Sequence, residues 1–353
     1  MKKFPKQLIV ISILFILVFV IYIFYKFVEY RFKAKFYSGI VLEAEDFIPS
    51  DSLGNPQEII CIRGYLILLD TQPIKNRGKI QVYKNLKFIS SAGFSGSGPG
   101  ELQTPVNLSI VSGDSITRFS VYDLALRRLT IFYLSSDGII KPVKMVNLKY
   151  GLPYSPVTDD TLIFSLDFNI DTDNRITVYD INGNYVSTIG RLLPGLRKGI
   201  PVQIHQAASQ GRLKFSPDGK FLVAIANYSD IIDIYDKRGN LISRFNGPLN
   251  STPKYNVSLR NGTPVMAIDV DRAIWGYVNL ELTNDYIYAR FSGKKFKDHG
   301  DGRYIHVYDY NGKFIKSYIL DREVYDIAID HESKILYAIQ IYPKPLVLMY
   351  KMK

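Results

Sequence analysis

Chemistry in this sequence rests on a few histidines and acidic residues. The chain has 353 residues, with four histidines and one cysteine, Cys61. His299 lies in the segment KKFKDHGDGRY between Asp298 and Asp301. Imidazole nitrogens and carboxylate oxygens are metal ligands, so these three residues are a candidate site for a hard cation such as calcium. The spacing of an EF-hand is absent and the many charges also fit a solvated loop, so we predict no cofactor, with calcium as the alternative.

Two further residues are candidates for ligand binding. His205 lies in a predicted loop, LRKGIPVQIHQAASQ, which could cap the mouth of a channel. Glu101 follows a glycine-rich stretch in GFSGSGPGELQTP, residues 93–105. No Lys-Ser or Lys-Thr pair follows these glycines, and Glu101 stands where a dinucleotide loop has its third glycine. The stretch therefore favours a bend of the backbone over a phosphate site, with Gly96, Gly98, Pro99 and Gly100 as structural residues and a channel-facing Glu101 as the alternative.

The sequence carries no recognisable catalytic signature. A GxSxG nucleophile elbow and an HExxH zinc motif are both absent. Thirty-three acidic residues offer no pair that stands out in the sequence. We therefore predict a protein that is not an enzyme. The alternative is a lyase or hydrolase in which His205 or His299 meets carboxylates from other parts of the chain around one metal ion.

A repeated hairpin must position any such site. Three segments align without gaps: ITVYDINGNYVSTI (176–189), IDIYDKRGNLISRF (232–245) and IHVYDYNGKFIKSY (305–318). In each, an alternating strand ends at Tyr-Asp, the aspartate can accept backbone hydrogen bonds at the start of a turn, and the glycine supplies a permissive backbone at its end. The structural residues of these turns are Asp180, Gly183, Asp236, Gly239, Asp309 and Gly312.

The hairpins recur with a spacing that is typical of propeller blades. Aromatic markers of six hairpins stand at Tyr83, Phe132, Tyr179, Tyr235, Tyr308 and Tyr350. A period of about 50 residues is that of four-stranded blades, so the sequence predicts an all-β fold, a six-bladed β-propeller of four-stranded antiparallel blades. The long interval between residues 235 and 308 predicts an insertion. The glycine-rich stretch falls where the first blade must cross to the second.

The first residues of the sequence predict a segment that targets the protein to the membrane. Residues 8–25, LIVISILFILVFVIYIFY, hold no charge and would span the hydrocarbon layer as a helix. Lysines precede this stretch, and neither a small-residue cleavage site nor a lipid-modified cysteine follows it. We predict residues 1–35 to be a cytoplasmic tail and transmembrane signal anchor, and residues 36–353 to be a propeller outside the cytoplasm, in the periplasm or at the cell surface.

Charge argues against nucleic acid as a partner. The formal net charge is +11, but residues 1–35 hold seven lysines and arginines against one acidic residue. The rest of the chain holds 37 basic against 32 acidic residues, and no basic stripe appears in it. The basic residues beside the apolar segment match lipid headgroups instead.

Several segments resemble the TolB-like six-bladed β-propeller family of bacterial envelope proteins. They are YLILLD (65–70), GSGPGE (96–101), RFSVYDLALRRLTIF (118–132), FSPDGKFLVAIAN (215–227) and EVYDIAIDHESKILYAI (323–339). The resemblance covers residues 40–353 and implies a secreted or lipid-anchored propeller, without established catalytic residues. This chain departs from the family in having no cysteine for a lipid anchor. We therefore expect a membrane-anchored binding or scaffolding module for a peptide, a glycan or an envelope protein.

Overall fold

An N-terminal helix precedes the body of the protein. The computed structural model describes residues 6–113, 117–168, 171–195 and 197–352, and of residues 6–13, 29 and 32 it describes the backbone alone. The helix α1 (Lys6–Tyr37) confirms the predicted helix, and its side chains from Leu14 to Val28 are exposed. Within the described part of the chain, no helix has both the length and the apolar character needed to cross a membrane. The predicted span begins at residue 8, so the side chains of its first six residues lie outside the described ones.

Four of the six blades follow one another along the first part of the chain. Two short strands, β1 (Ile40–Leu42) and β2 (Glu45–Ile48), come before them. Blade one contains β3 (Pro56–Ile62), β4 (Tyr65–Asp70), β5 (Ile80–Lys84) and β6 (Lys87–Ala92). Blade two contains β7 (Pro105–Ile110), β8 (Arg118–Asp123), β9 (Arg128–Leu134) and β10 (Ile140–Asn147).

Blade three has a divided inner strand, formed by β11 (Leu152–Pro153) and β12 (Val157–Thr158), which both pair with the next strand. Its other strands are β13 (Leu162–Phe168), β14 (Asn174–Asp180) and β15 (Tyr185–Arg191). A short helix, α2 (Val202–Ala208), leads to blade four. Blade four contains β16 (Leu213–Phe215), β17 (Phe221–Ile225), β18 (Ile231–Asp236) and β19 (Leu241–Asn246).

The predicted insertion between residues 235 and 308 is a separate hairpin. Its strands, β20 (Tyr255–Arg260) and β21 (Thr263–Ile268), pair with each other and with no other strand of the described residues. Blade five follows with β22 (Tyr277–Leu282), β23 (Ile287–Phe291), β24 (Gly302–Tyr308) and β25 (Phe314–Val324). Blade six contains β26 (Asp326–Asp330), β27 (Ile335–Gln340) and β28 (Leu346–Lys351).

The N-terminal segment completes the last blade and closes the ring. Strand β2 pairs antiparallel with β28, so blade six takes its fourth strand from the start of the chain. Strand β1 pairs in parallel with β25 and adds a fifth strand to blade five. The sequence did not show which segment supplies the fourth strand of blade six.

Apolar side chains lie between each pair of consecutive blades in the described residues, as a closed ring requires. Ile67 of blade one packs with Phe119 of blade two, for example, and Leu66 of blade one packs with Ile339 of blade six. The remaining four interfaces are each filled by a comparable cluster. All six marker aromatics predicted from the sequence lie in the third strand of their blades and are buried.

The three repeated turns form as predicted. In the first, the carboxylate of Asp180 accepts hydrogen bonds of 2.8 and 2.9 Å from the backbone N–H groups of Asn182 and Asn184. Gly183 has a φ of +83°, which a side chain would strain. Asp236 and Asp309 accept the equivalent backbone hydrogen bonds in the other two turns.

Candidate functional site

A cavity of about 600 Å³ lies where the inner strands of the blades begin, at one mouth of the central channel. Residues of five blades line it, and blade two contributes none of them. Six of the lining residues are aromatic: Tyr154, Tyr228, Trp275, Phe296, Tyr325 and Tyr342. Most of the others are polar or charged: Asn55, Gln57, Arg212, Asn227, Arg290, Lys297, Asp298, His299 and Asp301.

Three packed rings form one side of the cavity, and we call Tyr228, Trp275 and Phe296 the aromatic wall. The Trp275 and Phe296 rings stack with their centroids 5.1 Å apart, and the ring of Tyr228 contacts both. The indole Nε1 of Trp275 donates hydrogen bonds of 3.2 and 3.0 Å to the carbonyl oxygens of Phe296 and Asp298. Because these bonds fold the loop back onto the indole, the wall is positioned before any ligand arrives.

The rim of the cavity is formed by loops of blades five and six. The imidazole of His299 lies against the ring of Tyr342, with ring centroids 4.7 Å apart. Lys297 and Asp298 are exposed beside them. The rim therefore offers one aromatic face, an imidazole and both signs of charge to solvent.

The floor of the cavity holds charged groups that the inner strands bury. The guanidinium group of Arg212 pairs with the carboxylate of Glu58 from blade one. Glu58 also accepts a hydrogen bond of 2.6 Å from the backbone N–H of Leu108. Burial alone lowers the pKa of Arg212, but Glu58 together with Tyr154, Asp326 and Tyr325 outweighs that effect and raises it. This pair joins blades one, two and four at the channel axis.

Asp326 of blade six lies in the same buried group. Its carboxylate accepts a hydrogen bond of 2.8 Å from the backbone N–H of Ile59 and another from the side chain of Asn279. Burial, reinforced by the negative charge of Glu58, raises the pKa of Asp326 to about 7. Asp326 is therefore partly protonated near neutral pH.

Arg290 of blade five lines the cavity from within the sheet, and its side chain is only 2% exposed. One terminal nitrogen donates hydrogen bonds of 3.0 Å to the carbonyl oxygens of Gly300 and Val324. No carboxylate of the described residues lies within ion-pair distance of Arg290, and its Nε has no hydrogen-bond partner among them. Burial lowers the pKa of Arg290 to about 10, although Asp326 and Asp301 partly oppose the shift.

The opposite end of the channel is much tighter. A cavity of about 20 Å³ there is lined by ends of inner strands from blades two, four and five. The Lys214 ammonium pairs with the Glu281 carboxylate at this end, and burial raises the pKa of Glu281 while Lys214 limits the rise. Space for a ligand therefore lies at the other mouth.

The predicted metal ligands reach the cavity but do not gather around one point. Asp298, His299 and Asp301 all line it. Asp298 and His299 are exposed, whereas Asp301 is buried. No three His, Cys, Asp or Glu side chains of the described residues are arranged to hold a metal ion. The calcium site stays a prediction.

The other two sequence candidates lie in structural positions. Glu101 does not line the cavity, and its carboxylate accepts a hydrogen bond of 2.7 Å from the backbone N–H of Gly98. Arg128 donates to the carbonyl oxygens of Ser97, Gly98 and Glu101, so the stretch is held as a bend between blades one and two.

His205 lies in the helix α2, so the loop predicted there is wrong. Its Nε2 accepts a hydrogen bond of 3.2 Å from the backbone N–H of Arg197, and its Nδ1 is hydrogen-bonded to the hydroxyl of Tyr255 in the inserted hairpin. Burial lowers the pKa of His205, so the imidazole is neutral and ties the helix to the hairpin. His205 does not line the cavity.

Comparison with known proteins agrees with this architecture. The family model described as TolB-like 6-blade propeller-like matches residues 58–332. The chain belongs to the TolB-like six-bladed propeller family. No curated protein matches the chain.

Two solved structures are similar to this TolB-like propeller. A putative exported protein from Bacteroides fragilis is 13% identical, with a TM-score of 0.50, and the match covers 88% of this chain and 95% of that one. The Cps50 (Swd1) β-propeller domain from Myceliophteria thermophila is 10% identical, with a TM-score of 0.47, and the match covers 85% of this chain and 97% of that one.

Proposed function

We propose that this TolB-like propeller is a binding module that takes a short saccharide in the cavity at the channel mouth. The observation that carries the proposal is the composition of that cavity, in which aromatic rings stand beside planar polar side chains. Its volume of about 600 Å³ is within the range of small-molecule sites, roughly 300–1,000 Å³.

A sugar needs this combination of groups. Its ring has apolar C–H faces that pack on aromatic side chains, as the aromatic wall and Tyr342 offer. Its hydroxyl groups donate and accept hydrogen bonds, which Asn55, Gln57 and Asn227 can return because amide side chains carry both donors and acceptors. A purely apolar ligand would leave these polar groups without partners at a cost in free energy.

The proposal includes a location outside the cytoplasm, with the N-terminal helix as a membrane tether. Residues 8–25 are uncharged, and lysines precede them. The apolar side chains from Leu14 to Val28 are exposed along the helix, as lipid contact would require. The Bacteroides fragilis neighbour is described as a putative exported protein. Protease added to spheroplasts should digest the propeller, whereas digestion only after lysis would contradict this location.

A matched pair of tyrosine variants tests the binding site. We expect Tyr342→Ala to weaken binding of an oligosaccharide at least tenfold, because it removes the exposed ring at the rim. Tyr185→Ala is the control, since Tyr185 is similarly exposed (48% against 58%) and also contacts one ring, at 4.5 Å, but lies on β15 away from the cavity. Titration calorimetry of the full chain in detergent against panels of oligosaccharides and short peptides is the measurement. Peptide binding without saccharide binding would overturn the ligand class.

A metal-assisted enzyme is a second candidate, favoured by the position of Asp298, His299 and Asp301 in the same cavity. Metal analysis of the purified full chain, followed by His299→Ala, tests it. Stoichiometric metal that this substitution removes would support the enzyme. Purified protein without metal, and with saccharide binding unchanged in His299→Ala, would support the binding module alone.

A further inference from the structure

The buried guanidinium group of Arg290 at the cavity has less charge compensation than the buried Arg175 or the partly buried Arg212. Arg175 is bound to the carboxylate of Asp233 at 2.9 Å, and Arg212 is paired with Glu58. Arg290 binds only backbone carbonyl oxygens among the described residues. A buried charge without a paired countercharge is costly, and such groups are retained where they meet a partner.

The neighbouring acids reduce this charge without neutralising it. Asp301 and Asp326 lie beyond ion-pair distance of the guanidinium group and act on it only through space. Asp326 is itself partly protonated near neutral pH, because burial raises its pKa to about 7. The floor of the cavity therefore keeps a positive site that faces the ligand space.

We infer that the ligand is a saccharide bearing a carboxylate, and that Arg290 binds this carboxylate. This inference rests on the proposed function. A guanidinium N–H is a strong donor to a carboxylate. In Arg290 the nitrogen Nη1 already binds the carbonyl oxygens of Gly300 and Val324 and Nε is buried, which leaves Nη2 for the ligand carboxylate. With the carboxylate at the floor, the sugar ring would extend past the aromatic wall toward the rim.

The exposed ammonium group of Lys297 at the rim adds a second, weaker attraction for acidic ligands. Because Lys297 is solvated, salt screens its contribution, whereas the buried Arg290 is screened less. Preference for an acidic ligand should therefore persist at high ionic strength.

The test compares trigalacturonate with its trimethyl ester, a neutral ligand of nearly the same size, on the full chain in detergent. We expect the acid to bind at least tenfold more tightly than the ester in 0.15 M and in 0.5 M salt. Arg290→Lys, which keeps the charge but loses the guanidinium group, should remove most of that preference.

Arg128→Lys is the matched control, because among the described residues Arg128 also binds only backbone carbonyl oxygens but does not line the cavity. It should keep the full preference for the acid. If Arg290→Lys does not fold, NMR of the ¹⁵N-labelled wild type tests the role of Arg290 instead. The acid should shift the Nε–H resonance of Arg290, whereas the ester should not.

Equal binding of acid and ester would overturn the inference and leave the proposed saccharide site standing. A preference for the acid that Arg290→Lys does not reduce would overturn the role of Arg290. Failure of every saccharide to bind, with binding of acidic peptides instead, would overturn both the inference and the proposed function.

Discussion

The ring of Phe36, near the end of the N-terminal helix, lies 5.1 Å from the imidazole of His306 in blade five. The hydroxyl group of Ser317 donates a hydrogen bond of 2.8 Å to the carbonyl oxygen of Phe36. Phe36 is only 1% exposed and belongs to the cluster between blades four and five. The helix is therefore joined to the propeller by core packing, and the predicted boundary between residues 35 and 36 falls beside a buried residue.

Loss of this contact should destabilise the propeller itself. We expect Phe36→Ala to lower the free energy of unfolding by about 3–5 kcal/mol, as for other buried phenylalanines. Denaturant unfolding of the full chain in detergent is the measurement. Tyr30→Ala, on an exposed part of the same helix, should change it by less than about 0.5 kcal/mol. Equal effects of the two variants would show that the helix is not docked.

The buried ion pair of Arg175 and Asp233 should matter far more than a surface pair of the same length. Both side chains are fully buried, with N–O distance 2.9 Å, and Arg175 also donates to the carbonyl oxygens of Ser209 and Ile225. Arg175→Met should cost about 3 kcal/mol, because it leaves a buried carboxylate with fewer partners. Lys351→Met, which breaks the exposed 2.9 Å pair with Glu45, should cost less than about 1 kcal/mol. Chemical denaturation of both variants measures the two losses in the free energy of unfolding, and similar losses would contradict the prediction.

The raised pKa of Asp326 predicts that stability falls as the pH rises. The folded protein keeps a proton on Asp326 up to about pH 7, whereas the unfolded chain releases it near an ordinary aspartate pKa of about 3.9. The folded state therefore binds more protons between these values, and its stability declines across that window.

Asp326→Asn should flatten this dependence, because the neutral side chain can still accept the hydrogen bond from Ile59. Thermal melts of wild type and variant between pH 4.5 and 8 should converge at low pH and diverge at high pH, with the variant more stable. Asp271→Asn, at an exposed position, should follow the wild type across the whole range. Parallel curves for wild type and Asp326→Asn would contradict the assignment.

A side chain at Gly96 should disturb the bend between blades one and two. A Cβ there would overlap the carboxylate of Glu101. Gly113 has a similar φ, +146° against +158°, but a Cβ there would meet open space. We expect Gly96→Ala to cost no more than about 1 kcal/mol beyond Gly113→Ala, because the Cβ would push aside the flexible end of the Glu101 side chain, which accepts a hydrogen bond from Gly98. Adding Glu101→Ala to Gly96→Ala should restore part of the loss, and an unchanged double variant would show that the overlap is not the cause.

Local chemistry predicted most of the fold. The Tyr-Asp hairpins and the alternating aromatic residues depend on neighbours within about ten residues, so their period can be recognised in the sequence. The turns at Asp180, Asp236 and Asp309 formed as expected. The fourth strand of blade six was not predicted, because residues 45–48 carry no hairpin of their own and pair only through closure of the ring.

The site was less predictable, because five blades meet in it. Asp298, His299 and Asp301 were found because histidine and carboxylates stood together in one loop. Trp275 and Arg290 were missed, since each is an isolated residue whose importance depends on strands distant in sequence. A charged residue inside the apolar strand IYARF was a signal that could have pointed to Arg290.

The pairing of β2 with β28 determines when the propeller ring can close during synthesis. Asp46 of β2 pairs with Leu348 of β28, which lies 302 residues later in the chain. Strand β2 is therefore synthesised about 15–60 s before β28 at ordinary rates of translation. During that delay the early strand has no edge of blade six to join. Completion of the circle must therefore wait until β28 has left the ribosome, and a chain that lacks this strand would remain an open arc.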